Sequence, residues 1–378
     1  MASHIRRVSA VDLAGRGAAD VFVSDCPLPE PAGGALGWLL EGAFGADDKP
    51  DLFVTVAAKG LLEDVAGNRF AWAEVARGGG GGGASSRADA SSRAGQATGA
   101  VGAPSDGQFV SAAWTMTPRD DPRVGSLGEV FTLPEFRGQG LAPAVCAALL
   151  ERFDAEGGRW MFLGTSNPSA ARIYGRLGFE PYPRGLMRRE GPGGGGFDAE
   201  WWAPSEVRVR PIHWGDVPRI VTLYAEPNPW LSISMMEGLF SVSHVIHDRC
   251  NSLFKNTWQA TRAGAWLGLV NATGALVGSA AMEPRGNEKA VVEAEVDLFV
   301  HPAFVSQAGV LLAGMLSEAR SRGWRWLHAR LGEADEEKRV LLEAAGFREV
   351  GRLADALLIG GRAHDVRILR LEVAASGN

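Results

Sequence analysis

The chain has 378 residues, 46% of them apolar and 22% charged, with a formal net charge of −6. That length suffices for two domains of ordinary size, each burying its own core, and the acidic balance excludes a general nucleic-acid binder, which presents a basic face. Cys26, Cys146 and Cys250 are the three cysteines and stand far apart without C-x-x-C spacing, which fits a reduced interior better than a disulfide framework or a zinc site.

The opening MASHIRRVSAVDLAG has no apolar run of signal-peptide kind, and no later run approaches membrane-spanning length. The expected setting is the cytoplasm, with no membrane partner. In chain order, IRRVSAVDLAG (5–15) predicts a short strand leading into a helix start centred on Asp12. The stretch 51–78, DLFVTVAAKGLLEDVAGNRFAWAEVARG, predicts a helix and then a strand. Residues 77–108 are almost entirely Gly, Ala, Ser and Arg and have too little to bury, which predicts a flexible loop. Hexaglycine can suggest a phosphate cradle, but no ordered glycines lead into a helix there.

SAAWTMTP (111–118) predicts a further strand, GEVFTLPEF (128–136) a strand running into proline, and PAVCAALLERFDAEGGRWMFLG (143–164) a helix followed by a buried strand. SAARIYGRLGFEPY (169–182) predicts a short helix ending in glycine and feeding a hairpin. GPGGGG at 191–196 then predicts a linker, residues 191–205, whose Trp201 and Trp202 pack on a neighbouring surface.

The second half repeats this series. VRVRPIHWGDVPRIVTLYA (207–225) matches the opening strand and helix start, and GLFSVSHVIHDRCNSLFKNTWQATRAG (238–264) the helix and strand. GSAAMEP (278–284), VDLFVHPAF (296–304), GVLLAGMLSEARSRGWRWLHARLG (309–332) and KRVLLEAAGFREV (338–350) follow in the same order. A repeat of this length predicts a duplicated α/β domain; solenoid periods are much shorter.

The chemistry gathers in PEFRGQGLAPAV (134–145). Gly138 and Gly140 let the backbone turn tightly with no Cβ in the way, and a helix start supplies unpaired N–H groups and the positive end of a dipole. Such an element suits a diphosphate, with Arg137 as a charged partner. Pro143 costs little, because its missing N–H falls in the unpaired first turn. The plainer alternative is a helix start after a strand.

The segment Arg137, Gly138, Gln139, Gly140, Leu141, Ala142, followed by Asn167, Ala170, Ala171, Tyr174 and the Gly178–Phe179 pair, resembles the two motifs of the GNAT superfamily of acyl-CoA-dependent N-acyltransferases. The resemblance covers most of residues 1–190, with the motifs between about 110 and 182. It implies an α/β (α+β) fold, each domain a mixed, mostly antiparallel twisted sheet flanked by helices. It implies acetyl-CoA as co-substrate and no metal, with the strand edge Phe131, Thr132 and Leu133 pairing with the pantetheine arm and Asn167 and Ala170 bordering the cleft. Tyr174 is the implied general acid for the departing thiolate; the alternative is a phenol packed in the core. The motif does not fix the base. Glu129 is the first candidate, with an exposed strand carboxylate as its alternative reading, and Glu74 is the second.

On matched positions, Arg137 falls opposite Val305, Gly138 opposite Ser306, Gly140 opposite Ala308, Tyr174 opposite Leu342 and Asn167 opposite Asp335. The expectation is a competent domain over 1–190 and a degenerate one over 206–374, with Asp335 placing negative charge near any cofactor. HVIHDRC (244–250) invites a metal reading, but the matching first-half segment has nothing similar, and a surface or interface helix explains it. Between Asp20 and Asp51, Asp20, Asp25, Glu30, Glu41, Asp47, Asp48 and Asp51 stand against Lys49 alone. That balance favours a cationic, small-molecule amine acceptor; a solubilising surface is the alternative. A peptide N-terminus as acceptor, a longer acyl donor, a non-catalytic acyl-CoA-binding protein and a homo-oligomer stay open.

Overall fold

The computed structural model describes residues 5–15, 17–26, 28, 66–75, 107–226, 230, 232–234, 238–240, 264–285, 293–359 and 361–373. Most of the Gly-rich stretch 77–108, both predicted helices (within 51–65 and 241–263), HVIHDRC and the carboxylates from Glu30 to Asp51 lie outside the described residues. By contact density the chain divides into two units. One comprises 1–161, 169–179 and 190–192; the other comprises 162–168, 180–189 and 193–378. Two sheets of mostly antiparallel strands flanked by helices make up the fold.

The first sheet begins with β1 (Arg6–Leu13), β2 (Gly17–Asp25) and β3 (Ala66–Val75), followed by β4 (Gln108–Pro118) and β5 (Val124–Thr132). A 3-10 turn (Pro134–Phe136) and the helix α1 (Leu141–Ala155) come next, then β6 (Trp160–Gly164), the helix α2 (Pro168–Arg176), β7 (Phe179–Tyr182) and β8 (Leu186–Glu190). The strand order is β1-β2-β3-β4-β5-β6-β8-β7. The helix start expected at Asp12 is instead strand: Asp12 pairs with Ala18 and Leu13 with Gly17 across a tight hairpin. Gly15 and Gly17 hold φ of +71° and +81° there, a geometry glycine adopts without penalty. Helix α1 lies on β2, β3 and β4 and buries Val145, Cys146, Leu149, Leu150 and Phe153. Complete burial pushes the Cys146 thiol up to about 12, so it is an inert core residue.

The 191–205 stretch contains a short helix, α3 (Phe197–Trp201). Phe197, Trp201 and Trp202 are all buried, and Trp201 Nε1 donates to Thr222 Oγ1 at 3.3 Å. The second sheet uses β9 (Val207–Pro211), β12 (Ala265–Asn271), β13 (Leu276–Arg285), β14 (Glu293–Val300), β15 (Trp326–Gly332), β16 (Arg348–Ile359) and β17 (Arg362–Glu372). A separate pair is formed by β10 (Ser232–Ser234) and β11 (Gly238–Phe240). The order β16-β17-β15-β14-β13-β12-β9 is antiparallel except for β14–β15. The helices are α4 (Val217–Ala225), α5 (Ala308–Ser321) and α6 (Glu336–Ala344). The strands and helices from β13 to β17 stand in the order expected for 278–350.

Candidate functional site

In β5 the register breaks: Trp114 pairs with Gly128 and Ala112 with Phe131, so Glu129 and Val130 together stand opposite Ala113. This is a bulge, and Glu129 holds φ of +52° within it. A left-handed carboxylate residue stores about 1–3 kcal/mol of strain, and such strain concentrates at functional sites. Beyond the bulge Phe131, Thr132 and Leu133 are half-buried. Ser111 Oγ donates to the Phe131 carbonyl at 2.9 Å and lies 2.8 Å from Thr132 Oγ1. The Leu133 N–H donates to the Val110 carbonyl at 2.9 Å and is already committed to the sheet.

Gly138 and Gly140 hold φ of +76° and +81°, and a Cβ on Gly138 would meet nothing within 4 Å. The need for glycine at these two positions is therefore not steric; the backbone sign alone calls for it. Gly140 caps α1, and the first bond of the helix runs from the Ala144 N–H to the Gly140 carbonyl at 3.2 Å. The N–H groups of Leu141 and Ala142 thus have no acceptor within the helix, and Pro143 has none to lose. Arg137 is exposed, its Nε donates to the Thr132 carbonyl at 3.1 Å, and its guanidinium lies 5.8 Å from the Phe131 ring centre. Gln139 Nε2 donates to the Glu135 carbonyl at 3.3 Å. The loop is fixed by its own side chains, with a cation beside unpaired N–H groups, and this donor set fits a diphosphate.

Tyr174 is buried and meets Phe179 edge-on at 6.0 Å between ring centres. Ala170 is half-buried in the first turn of α2. Asn167 is exposed just before α2, its N–H donating to Thr165 Oγ1 at 3.2 Å, and it falls in the other contact unit from the loop and Tyr174. Glu74 is 5% exposed near the end of β3. Of the seven carboxylates from Asp20 to Asp51, only Asp20 and Asp25 are described. Both are ion-paired, Asp20 with Arg7 at 2.7 Å and Asp25 with Arg69 at 2.6 Å.

The second sheet treats the matching positions differently. There a 3-10 segment, Pro302–Gln307, passes straight into α5 with Ala308 right-handed and no residue of positive φ between. Glu129 aligns with Asp297, whose Oδ1 accepts from buried Lys338 Nζ at 2.5 Å and from the Leu298 N–H at 2.8 Å. Phe131 aligns with Phe299, on which Tyr224 stacks at 4.8 Å. Leu133 aligns with His301, on which Trp202 stacks at 4.2 Å, and burial lowers the His301 imidazole to about 4. Asp335 is buried and accepts from the Gly332 N–H at 3.1 Å, so it serves the local turn. Sequence matching located the lost glycines; these covering contacts carry no sequence signal.

Among the described residues there is no group of three or more His, Cys, Asp or Glu that could hold a metal, and no helix long and apolar enough to cross a membrane. No curated protein matches the chain. Solved structures with a similar fold include a phosphinothricin acetyltransferase from Sinorhizobium meliloti in complex with AcCoA (18% identity, TM-score 0.37, 45% of this chain and 90% of that one). Others are spermidine N-acetyltransferase from Vibrio cholerae with CoA and spermine (18%, 0.36, 44% and 95%) and ribosomal-protein-alanine N-acetyltransferase from Brucella melitensis (20%, 0.36, 44% and 99%). At that degree of overlap the assignment rests on the sequence match and the motif loop. Residues 81–179 match the model of the Acetyltransferase (GNAT) family.

Proposed function

We propose that the chain is an acetyl-CoA-dependent N-acetyltransferase that transfers the acetyl group directly to a primary amine of a small or amino-acid-like molecule. The observation that carries this reading is the left-handed Gly138–Gly140 pair at the start of α1 with Arg137 beside it. Arg137 and the N–H groups of Leu141 and Ala142 would hold the diphosphate of acetyl-CoA. The strand edge from Phe131 to Leu133, just beyond the β5 bulge at Glu129 and Val130, would take the pantetheine arm. Because the Leu133 N–H is bonded to Val110, polarisation of the thioester carbonyl falls to other donors of that edge.

The neutral amine attacks the thioester carbonyl, forming the C–N bond and expelling CoA as thiolate. Tyr174 gives its hydroxyl proton to that sulfur, balancing the proton that nitrogen loses as the amide forms. The second unit keeps the fold, and its Asp297–Lys338, Phe299–Tyr224 and His301–Trp202 contacts occupy the matching edge; we assign it no acyl-CoA. Thiol release from acetyl-CoA over a panel of small amines tests the reading. Release that needs Arg137 supports it, and acetyl-CoA binding without release under any amine points instead to an acyl-CoA-binding protein.

A further inference from the structure

A cavity of about 420 Å³ opens between α1 and the first strands of the sheet. One wall is helical: Ala148, Glu151, Arg152 and Ala155 line it, and their spacing of three, four and seven residues puts them on one stripe of α1. The facing wall is strand, with Arg6 and Val8 from β1, Val23 and Asp25 from β2, and Arg69 from β3. Arg6 pairs with Val23, and Asp25 with Arg69, so these side chains stand together on the face that α1 covers. At a rise of about 1.5 Å per residue, Glu151 lies about 16 Å along α1 from Gly140. The cavity is therefore separate from the glycine loop.

The charges around it balance in number but not in pairing. Arg69 is held on both sides, by Asp25 at 2.6 Å and by Glu156 at 2.6 Å, and Glu156 also pairs with Arg152 at 2.5 Å. These four side chains tie β2, β3 and the end of α1 together. Two lining groups remain, the Arg6 guanidinium on the strand wall and the Glu151 carboxylate on the helix wall, and neither has an ion pair among the described residues. With Glu156 included, three arginines meet three carboxylates, so the cavity favours neither a plain anion nor a plain cation. Apolar surface completes the lining: Val8 is 39% exposed, and Val23, Ala148 and Ala155 join it. Apolar walls with a few opposed polar groups, at this volume, are the form that small-ligand sites take.

We infer that this cavity is a binding site for a small zwitterion with an aliphatic side chain, of which a neutral α-amino acid is the simplest. Arg6 takes the carboxylate through its guanidinium fork, Glu151 takes the ammonium group, and the side chain covers Val8 and Val23. The ligand bridges β1 to α1 and supplies the partner that each of Arg6 and Glu151 lacks. The site does not depend on the acetyltransferase reading.

Isothermal titration calorimetry on the full chain without acetyl-CoA tests this, with L-alanine, L-valine and L-leucine as probes. At least one is expected to bind, and its Kd to rise about tenfold or more when either charged group is missing from the probe, the usual worth of a hydrogen bond to a charged group. For L-valine the analogues are isobutylamine, without the carboxylate, and isovalerate, without the ammonium group. Arg6→Ala should weaken L-valine to the level of isobutylamine and leave isobutylamine unchanged. Glu151→Gln should weaken L-valine to the level of isovalerate without weakening isovalerate. Both residues are exposed, so each variant should keep the wild-type melting temperature in the absence of ligand, and its acetyl-CoA affinity should not change. The analogue series reads the same two contacts with no substitution at all. No binding by any of the three amino acids overturns the site, as does binding that ignores the missing group or stays equally tight in both variants.

Discussion

The Lys338 ammonium lies 2.5 Å from Asp297 Oδ1 with both side chains buried, joining α6 to the β14 residue that aligns with Glu129 of the first sheet. The parallel pairing of β14 with β15 ends at Val296 and Ala329, one residue before Asp297. The ion pair thus fills the place where these two strands part. Removing one partner leaves an uncompensated buried charge, so Lys338→Met alone is expected to destabilise the chain by about 3–5 kcal/mol. Adding Asp297→Leu should recover most of that loss, because apolar replacement of a whole buried pair is often neutral. Denaturant titration of both single variants and the double variant measures the coupling.

Asp216 anchors a second buried network. Its carboxylate accepts from Arg210 at 2.6 Å through each of two nitrogens and from Arg219 Nη1 at 2.9 Å. Burial pushes the carboxyl up, but the Arg210 hydrogen bond and the charges of Arg210, His213 and Arg219 outweigh it and hold it below its usual value. A carboxyl with a lowered folded pKa contributes stability that is complete above its unfolded value of about 3.9 and is lost as pH falls through the folded one. Thermal melts from neutral pH to pH 3 should therefore show an acid limb that is weaker in Asp216→Asn. That variant should also be less stable at pH 7, since Arg219 is left buried without its carboxylate.

Gly140→Ala tests the loop itself. The nearest atom to a new Cβ is Val11 Cγ1 at 3.9 Å, ordinary contact, so the cost is backbone strain of about 1–2 kcal/mol. A modest fall in melting temperature with a rise in the dissociation constant for acetyl-CoA of about tenfold or more is expected, since about 1.4 kcal/mol is tenfold. Calorimetry on the variant reads both.

Tyr174→Phe keeps the edge-on contact with Phe179 and removes only the hydroxyl. If that hydroxyl protonates the leaving thiolate, kcat falls by about a hundred- to ten-thousandfold with acetyl-CoA affinity unchanged. A drop in stability with kcat preserved would mark Tyr174 as a core residue.

Much of the fold is legible in the sequence, because its signals are local. Apolar strand segments, the prolines at 134 and 302 and the Gly178 and Gly346 helix ends recur in order in both halves. The hairpin at Ala14–Gly15 is not legible in the sequence, since Asp12 resembles a helix cap until the pairing of β1 with β2 is known. The loop glycines and Tyr174 were legible as motif positions. The Glu129 bulge, the cavity between α1 and the first strands and the Asp297–Lys338 pair were not, because each depends on residues brought together across the sheet.

The most direct test is the stoichiometry of acetyl-CoA binding to the full chain by isothermal titration calorimetry. One site per chain is expected, and it should be lost when Arg137→Ala and Gly140→Ala are combined. Two sites, none, or one site that survives those changes would contradict a single acetyl-CoA site at the Arg137–Gly140 loop.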